Sequence, residues 1–389
     1  ARIGSRHQTM GTWAFYTVVK HLRQRANPNP PARAMLNKWY AECRAYLDFF
    51  ASTWHDDCEG IPTYHAIQPA IHYALEEGRG QFLYGKPLRS AVHRALAVTD
   101  NMGFYCGTGT YEEARPGTLK ASIALGYPAA VAAYCYGDPT MKWLWETFRS
   151  KQAGLWTPVS QYGLHLFATG DTVGSTPPAD LLGILVSRFD EQLYKRMPTQ
   201  SIRWRRDVPY EHTFDKLAFR QSYDRLDQYL VIEGKQYTGA DNLPPLDANA
   251  ILRFADRGQV WLHSNSMLSG NFHRSAIWVT AGEDGGPRPT VSELLFQRAS
   301  KRTGLVRSRL ANYNGSTWER TIFWLVGQGF AVIDSVRAER AAEQVVACTW
   351  RSPAHPTLTA TGWEARIGDS RFALLNADPG IRMSSRFEG

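Results

Sequence analysis

Cysteine is scarce in this chain. Its 389 residues hold five, Cys43, Cys58, Cys106, Cys135 and Cys348, and no two form a CxxC pair. That argues against a zinc ribbon or a disulfide framework and leaves buried thiols as the expected state, with a Cys43–Cys58 bridge as the alternative. No uncharged apolar run reaches the ~18 residues that a spanning helix of ordinary type requires. Lys and Arg nowhere stand five in a row. The densest basic cluster is Arg203, Arg205 and Arg206 around Trp204, so an extended nucleic-acid arm has little support. The phosphate loop GxxxxGK[ST], the zinc helix HExxH and the GxSxG elbow are all absent. Gly107-Thr108-Gly109 lacks the third glycine and the preceding apolar strand of a dinucleotide site. Asn314-Gly315-Ser316 matches a glycosylation sequon, a pattern too common by chance to carry weight. The chain opens ARIGSRHQ, with neither an initiator Met nor a leader, and reads as processed or as part of a longer polypeptide.

What the chain does have is aromatic surface. It is 12% aromatic and 43% hydrophobic, with a formal net charge of +8. The hydrophobic fraction is that of a globular protein, and the length exceeds the ~250–300 residues at which one core stops growing, so two domains are expected. The charge surplus is modest and fits a generic basic surface. Together with 13 Trp and 18 Tyr it also fits a surface that holds acidic sugars or single-stranded nucleic acid.

The first half has helical periodicity. Between residues 35 and 50 the apolar positions Met35, Leu36, Trp39, Tyr40, Cys43, Tyr46, Leu47 and Phe50 recur at three- and four-residue spacing. Stretches 13–22, 66–75, 88–98, 119–136, 141–148 and 179–194 read similarly, separated by Pro and Gly punctuation. After about residue 206 the composition shifts to short runs of β-branched and aromatic residues at 229–233, 250–254, 259–263, 275–280, 318–326, 330–333 and 344–350. The expected architecture is an incomplete α/α toroid of helical hairpins over residues 1–210, followed by an antiparallel β-sandwich over 211–389.

Certain strings carry a resemblance. Asp247-Ala248-Asn249-Ala250-Ile251 followed by Arg253-Phe254-Ala255-Asp256-Arg257-Gly258-Gln259-Val260-Trp261-Leu262 resembles the heparinase II/III-like polysaccharide lyases and their alginate-lyase relatives, in which a DxN turn leads into a strand, a Gly turn and a second strand. Residues 223–233, YDRLDQYLVIE, are similar to the strand before it. Trp318-Glu319-Arg320 and Gly329-Phe330-Ala331-Val332-Ile333-Asp334 look like the family's later strands. In the helical part, Ser5-Arg6-His7-Gln8 resembles the family's Asn/His string, and Glu59-Gly60 with Tyr64 its E-D-G…Y string, 57 residues apart as His7 and Tyr64. The chain departs from the family's HxHxDxN motif, where Leu243 and Pro245 stand in place of the two histidines. The other metal positions fall near His263 and His273. Two imidazoles without the carboxylate are a poor zinc set, so neither a metal nor any other cofactor is expected.

The resemblance implies β-elimination on a uronate-containing glycan. A lyase neutralises the uronate carboxylate, removes the weakly acidic C5 proton and protonates the O4 leaving group. Tyr can serve as base or acid when cations and donors lower its pKa from about 10. Tyr64 and His7 are the candidate catalytic pair. Arg6, Gln8, Trp13, Tyr105, Arg115, Arg203, Trp204 and His273 are candidates for substrate binding, Tyr105 and Arg115 because they lie in the Gly-rich stretch 101–115. Each has a bland competitor: Tyr64 packing at a helix start, Trp13 in a core, Arg203 in an ion pair. The implied partner is an acidic polysaccharide or oligosaccharide, not nucleic acid or a membrane, and the implied location is secreted or periplasmic; the oligomeric state stays open. Two further readings stand beside the lyase: a catalytically silent glycan-binding protein on the same fold, and a glycoside hydrolase using Asp57 with Glu59 or Glu112 with Glu113.

Overall fold

Helix punctuation in the sequence becomes helix caps in the fold. The computed structural model describes residues 6–25, 29–53, 62–104, 106, 127–148, 173–188, 191–196, 208–234, 248–263, 275–280, 291–340, 343–378, 380 and 383–385. Helices α1 (Arg6–Arg25), α2 (Pro30–Thr53) and α3 (Pro62–Glu76) come first. Pro30 opens α2, where a missing N–H costs nothing, and the Asn29 side chain accepts from the Ala32 N–H at 3.0 Å. Then follow α4 (Gly80–Tyr84), α5 (Lys86–Ala97), α6 (Tyr127–Tyr136) and α7 (Pro139–Phe148). Between α6 and α7, Gly137 takes a φ of 60°, and Asp138 Oδ1 accepts from the Thr140 N–H at 2.8 Å, so one residue ends a helix and the next begins another. Among the described residues no helix is long and apolar enough to cross a membrane.

Residues 179–194, expected as one helix, are not. A 3-10 turn at Ala179–Leu181 leads into strand β1 (Gly183–Ser187), and only Glu191–Arg196, α8, is helical. Gly183 has a φ of 82°, which breaks a helix there, and the residues after it pair with β2 (Lys216–Arg220), Val186 opposite Leu217. An apolar run of this length satisfies either period, and pairing with a neighbouring strand decided it.

The remaining strands are β3 (Tyr229–Glu233), β4 (Ile251–Asp256), β5 (Gln259–His263), β6 (Ala276–Thr280), β7 (Glu293–Ala299), β8 (Thr303–Tyr313), β9 (Ser316–Leu325), β10 (Gly329–Ala338), β11 (Val345–Thr349), β12 (Thr357–Thr359), β13 (Gly362–Ile367) and β14 (Ser370–Leu375). They form antiparallel sheets in the orders β1-β2-β3-β4-β5, β10-β9-β8-β7, β11-β6 and β12-β13-β14. The seven strands expected from the sequence are present within a few residues. Asn314-Gly315 makes the two-residue β8–β9 turn, both residues at positive φ. Asn314 is buried and its Nδ2 donates to the Val279 carbonyl at 2.6 Å, so the sequon is a turn and offers no free amide to a sugar.

Alternation along β2 sets the layers. Leu217 and Phe219 join a hydrophobic cluster shared with Val306, Ile322 and Trp324 of the four-stranded sheet. Ala218 turns the other way, into a cluster with Tyr229, Val231 and Ala97 at the end of α5. The five-stranded sheet therefore carries helices on one face and shares apolar side chains with the four-stranded sheet on the other.

The strings that carried the resemblance form a buried polar knot. Asn249, in the left-handed region at φ 67°, gives its carbonyl to Arg320 Nη1 at 2.9 Å and its side chain to Ser308. Arg320 also donates to the Ser275 carbonyl and, through Nε and Nη2, to both oxygens of Asp334 at 2.8 and 2.9 Å. Trp318 Nε1 donates to the same carboxylate at 2.8 Å.

Candidate functional site at the first turns of α1 and α3

Side-chain contacts fix how the first three helices run. Thr9 meets Tyr46, Tyr16 stacks on Tyr40 and Arg23 reaches Asn37, so α2 runs antiparallel to α1. Trp13 stacks on His72 (6.0 Å between centroids), Tyr16 packs edge-on against Tyr73 (5.6 Å), and Lys20 pairs with Glu77 at 2.9 Å. Positions on the two helices rise together, so α1 and α3 run parallel, and two of these pairs are offset by 57 residues.

His7 is the second residue of α1 and Tyr64 the third of α3, with the same 57-residue offset. Both stand in the first turns of parallel neighbouring helices. Helix N-termini carry unpaired N–H groups and the positive end of the macrodipole, and α1 contains no acidic residue. Arg6 and Gln8 flank His7. The side chains of Arg6, His7, Gln8 and Tyr64 lie outside the described residues, as do Tyr105, Arg115, Arg203, Trp204 and His273 altogether. Asp57, Glu59, Glu112, Glu113, Cys58, Leu243 and Pro245 fall outside as well. Of the expected substrate contacts only Trp13 is fully described: it is half-buried, stacked between Tyr16 (5.4 Å) and His72. Cys43 is a buried free thiol.

Toward the C-terminal end of α3 lies a cluster that no motif announced. Glu77 Oε1 accepts from Tyr16, from Lys20 Nζ at 2.9 Å and from Tyr40 at 2.9 Å, while Arg44 Nε sits 3.3 Å from Oε2. Burial alone pushes the carboxyl up, but donors from Tyr16, Lys20 and Tyr40 together outweigh it and hold Glu77 down to about 2. Burial, and then the neighbouring Glu77 carboxylate, pushes the Tyr16 hydroxyl well above its usual range, so Tyr16 is a donor and a poor base. Burial and a 2.8 Å hydrogen bond to Asp48 push Tyr73 up to about 12. Glu77 thus couples all three helices. Because its folded pKa is depressed, its contribution is present above the unfolded carboxylate range and is lost as pH falls through 2. A shift of this size corresponds to about 3 kcal/mol. Acid unfolding followed by circular dichroism is expected to show that loss between about pH 4.5 and 2, and Glu77→Gln to flatten the profile in that window.

A second unannounced cluster lies where α5 meets the five-stranded sheet. Arg94 Nε donates to Asp215 at 2.6 Å, and the buried Lys216 Nζ bridges Asp215 (2.9 Å) and Glu233 (2.7 Å). Beyond it, Arg253 pairs with Asp100 at 2.7 Å, and Arg220 donates to Asn101 and to the carbonyls of Leu96 and Thr99. The only sequence signal was a period of two: Lys216 and Arg220 share the strand face of Ala218, which packs toward α5. Asp100 and residues 101–104, the start of the Gly-rich stretch that holds the binding candidates Tyr105 and Arg115, serve here as a tie between helices and sheet. Asp100 Oδ1 accepts from the N–H groups of Met102 and Phe104. Among the described residues no group of three or more His, Cys, Asp or Glu side chains could hold a metal ion.

No family model matches the sequence, and no curated protein matches it significantly. Solved structures do match in fold. Heparinase III aligns with a TM-score of 0.58 at 11% identity, over 94% of this chain and 53% of that one. The heparan sulfate lyase HepC from Pedobacter heparinus aligns at 0.55 and 9% identity, over 96% and 53%, and a mutant of it at 0.54 and 10%, over 97% and 54%. This chain thus spans about half the length of the structures it matches. With helices first and several antiparallel sheets after them, the chain has a heparinase III-like fold.

Proposed function

We propose that this chain is a metal-independent polysaccharide lyase that cleaves an anionic, uronate-containing glycan by β-elimination at the first turns of α1 and α3. The observation that carries the reading is the shared register of His7 and Tyr64 on two parallel helices of a heparinase III-like fold. Heparinase III and the heparan sulfate lyase HepC, by their names, act on acidic polysaccharides of this class. In this reading the helical part is an incomplete α/α toroid, the β part an antiparallel sandwich, and the protein works outside the cytoplasm or in the periplasm.

The chemistry follows from the residue types. Arg6, Gln8 and the N–H groups of the two helix starts neutralise the uronate carboxylate, which acidifies the C5 proton. Tyr64 takes that proton or delivers one to the O4 leaving oxygen, and His7 serves as its opposite partner. Trp13, Tyr105, Arg115, Arg203, Trp204 and His273 are assigned to binding the chain of sugars. Incubation with a panel of uronate polysaccharides is expected to raise the absorbance near ~232 nm as the unsaturated product forms. Reducing ends without that absorbance would point to hydrolysis instead. Glycan binding with neither signal would leave a silent binding protein on the same fold.

A further inference from the structure

Two charged clusters share the helix-facing side of the five-stranded sheet, and their balances differ. The first is neutral, with Arg94 and Lys216 against Asp215 and Glu233. The second sets two fully buried guanidiniums, Arg220 and Arg253, against one carboxylate, Asp100. Arg220 spends its Nη atoms on three oxygens and lies over the rings of Tyr229 (4.7 Å) and Tyr223 (5.4 Å). Arg253 is less well served. Among the described residues only its Nη1 has a partner, Asp100 Oδ2, while Nε and Nη2 are buried without one. Those two N–H groups lie on the same edge of the guanidinium and point the same way, which is the fork that grips one anion with two parallel bonds. A buried cation with an empty fork is costly, because the desolvation of each unmade bond is uncompensated.

Among the described residues, the groups facing this cluster do not supply the missing charge. Asp100 is already shared among Arg253 and two backbone N–H groups. Burial pushes the Cys106 thiol up to about 11 and the Tyr229 hydroxyl well above its usual range, so both stay neutral at pH 7. They are also spent on each other and on backbone: Tyr229 Oη donates to the Ala97 carbonyl at 2.5 Å and lies 3.3 Å from Cys106 Sγ.

We propose that the Nε–Nη2 edge of Arg253 binds a small monovalent anion, chloride or a one-carbon carboxylate, which neutralises the seam between α5 and the five-stranded sheet. The site is independent of the glycan reading. It makes the docking of helices onto the sheet sensitive to small anions, since a ligand held only by the folded state stabilises that state by mass action. Large anions such as gluconate are excluded by the burial of Arg253.

Thermal unfolding of the 389-residue chain at constant ionic strength tests this, with sodium gluconate replaced stepwise by sodium chloride or sodium formate. The expected result is a saturating rise in Tm of about 2–4 °C in chloride, in formate or in both. Whichever arm shifts identifies the ligand. Arg253→Lys keeps the charge and its reach toward Asp100 but removes the fork, and is expected to abolish the shift. Because that variant disturbs a buried ion pair, diffraction from bromide-soaked crystals of the unaltered protein supplies a second readout: an anomalous peak against Arg253 Nε and Nη2. Identical Tm values in all three salts, or a fork occupied by water alone in bromide, overturn the proposal.

Discussion

Replacing Tyr64 by Phe is expected to lower formation of the ultraviolet-absorbing product by about 10²–10⁴-fold while leaving glycan binding largely intact. The substitution removes one hydroxyl and nothing else, so the first turn of α3 keeps its shape and aromatic volume. The size of the effect separates roles. An acid or base that moves a proton in the transition state costs orders of magnitude in kcat, whereas a packing residue at a helix start costs stability and leaves kcat alone. Measuring initial rates at ~232 nm beside the thermal midpoint therefore distinguishes the two uses of Tyr64. His7→Ala is expected to act in the same direction. The two losses should combine to less than their product, as for groups serving a single transition state. A Tyr64→Phe enzyme with full activity would remove Tyr64 from the mechanism whatever became of the lyase reading.

The largest expected effect on stability lies far from that site. Arg320→Met is predicted to destabilise the β part by about 3–5 kcal/mol, because it leaves Asp334, whose side chain is 11% exposed, with two of its three hydrogen bonds gone. It also strips the Asn249 and Ser275 carbonyls of their partner. The Nε1 of Trp318 remains on Asp334, too little to compensate a carboxylate that loses both Arg320 bonds. Urea unfolding monitored by tryptophan fluorescence checks it, with Asp334→Asn as the companion that unpairs the same bond from the other side. A cost below about 1 kcal/mol would mean the knot is wet and weakly coupled.

The strings around Asn249, Trp318, Arg320 and Asp334 were legible because a left-handed turn residue, an indole donor and an Arg–Asp pair leave a sparse, recognisable pattern along strands. Their role is structural, holding the β4 turn onto β8, β9 and β10. His7 and Tyr64 were legible only as residue types at a spacing. The helix periods at 6–25 and 62–76 said nothing about whether α1 and α3 run side by side, and the shared register comes from Trp13, Tyr16 and Lys20 meeting His72, Tyr73 and Glu77. Residues 179–194 depart from their helical period because Ile184, Leu185 and Val186 satisfy a helical stripe and a two-sided strand equally. Only β2, some thirty residues downstream, broke the tie.

By itself the sequence determined the order of the chain, helices before strands, along with seven of the fourteen strand positions and the absence of a spanning helix among the described residues. Those properties are local: periodicity, Pro and Gly punctuation and turn chemistry act within a few residues, and the backbone obeys them wherever the segment ends up. Tertiary structure alone decided that Glu77 is held near pKa 2 by donors from α1 and α2, that Lys216 lies between two carboxylates, and that Arg253 is buried with its Nε and Nη2 unmatched among the described residues. The hydrogen bonds on Glu77 join groups 37 to 61 residues apart and that of Arg253 one 153 residues away, while Lys216 reaches its neighbour Asp215 and, across the sheet, Glu233, 17 residues on. Desolvation, which sets the energy of such groups, is a property of the packed interior, not of the segment that carries them.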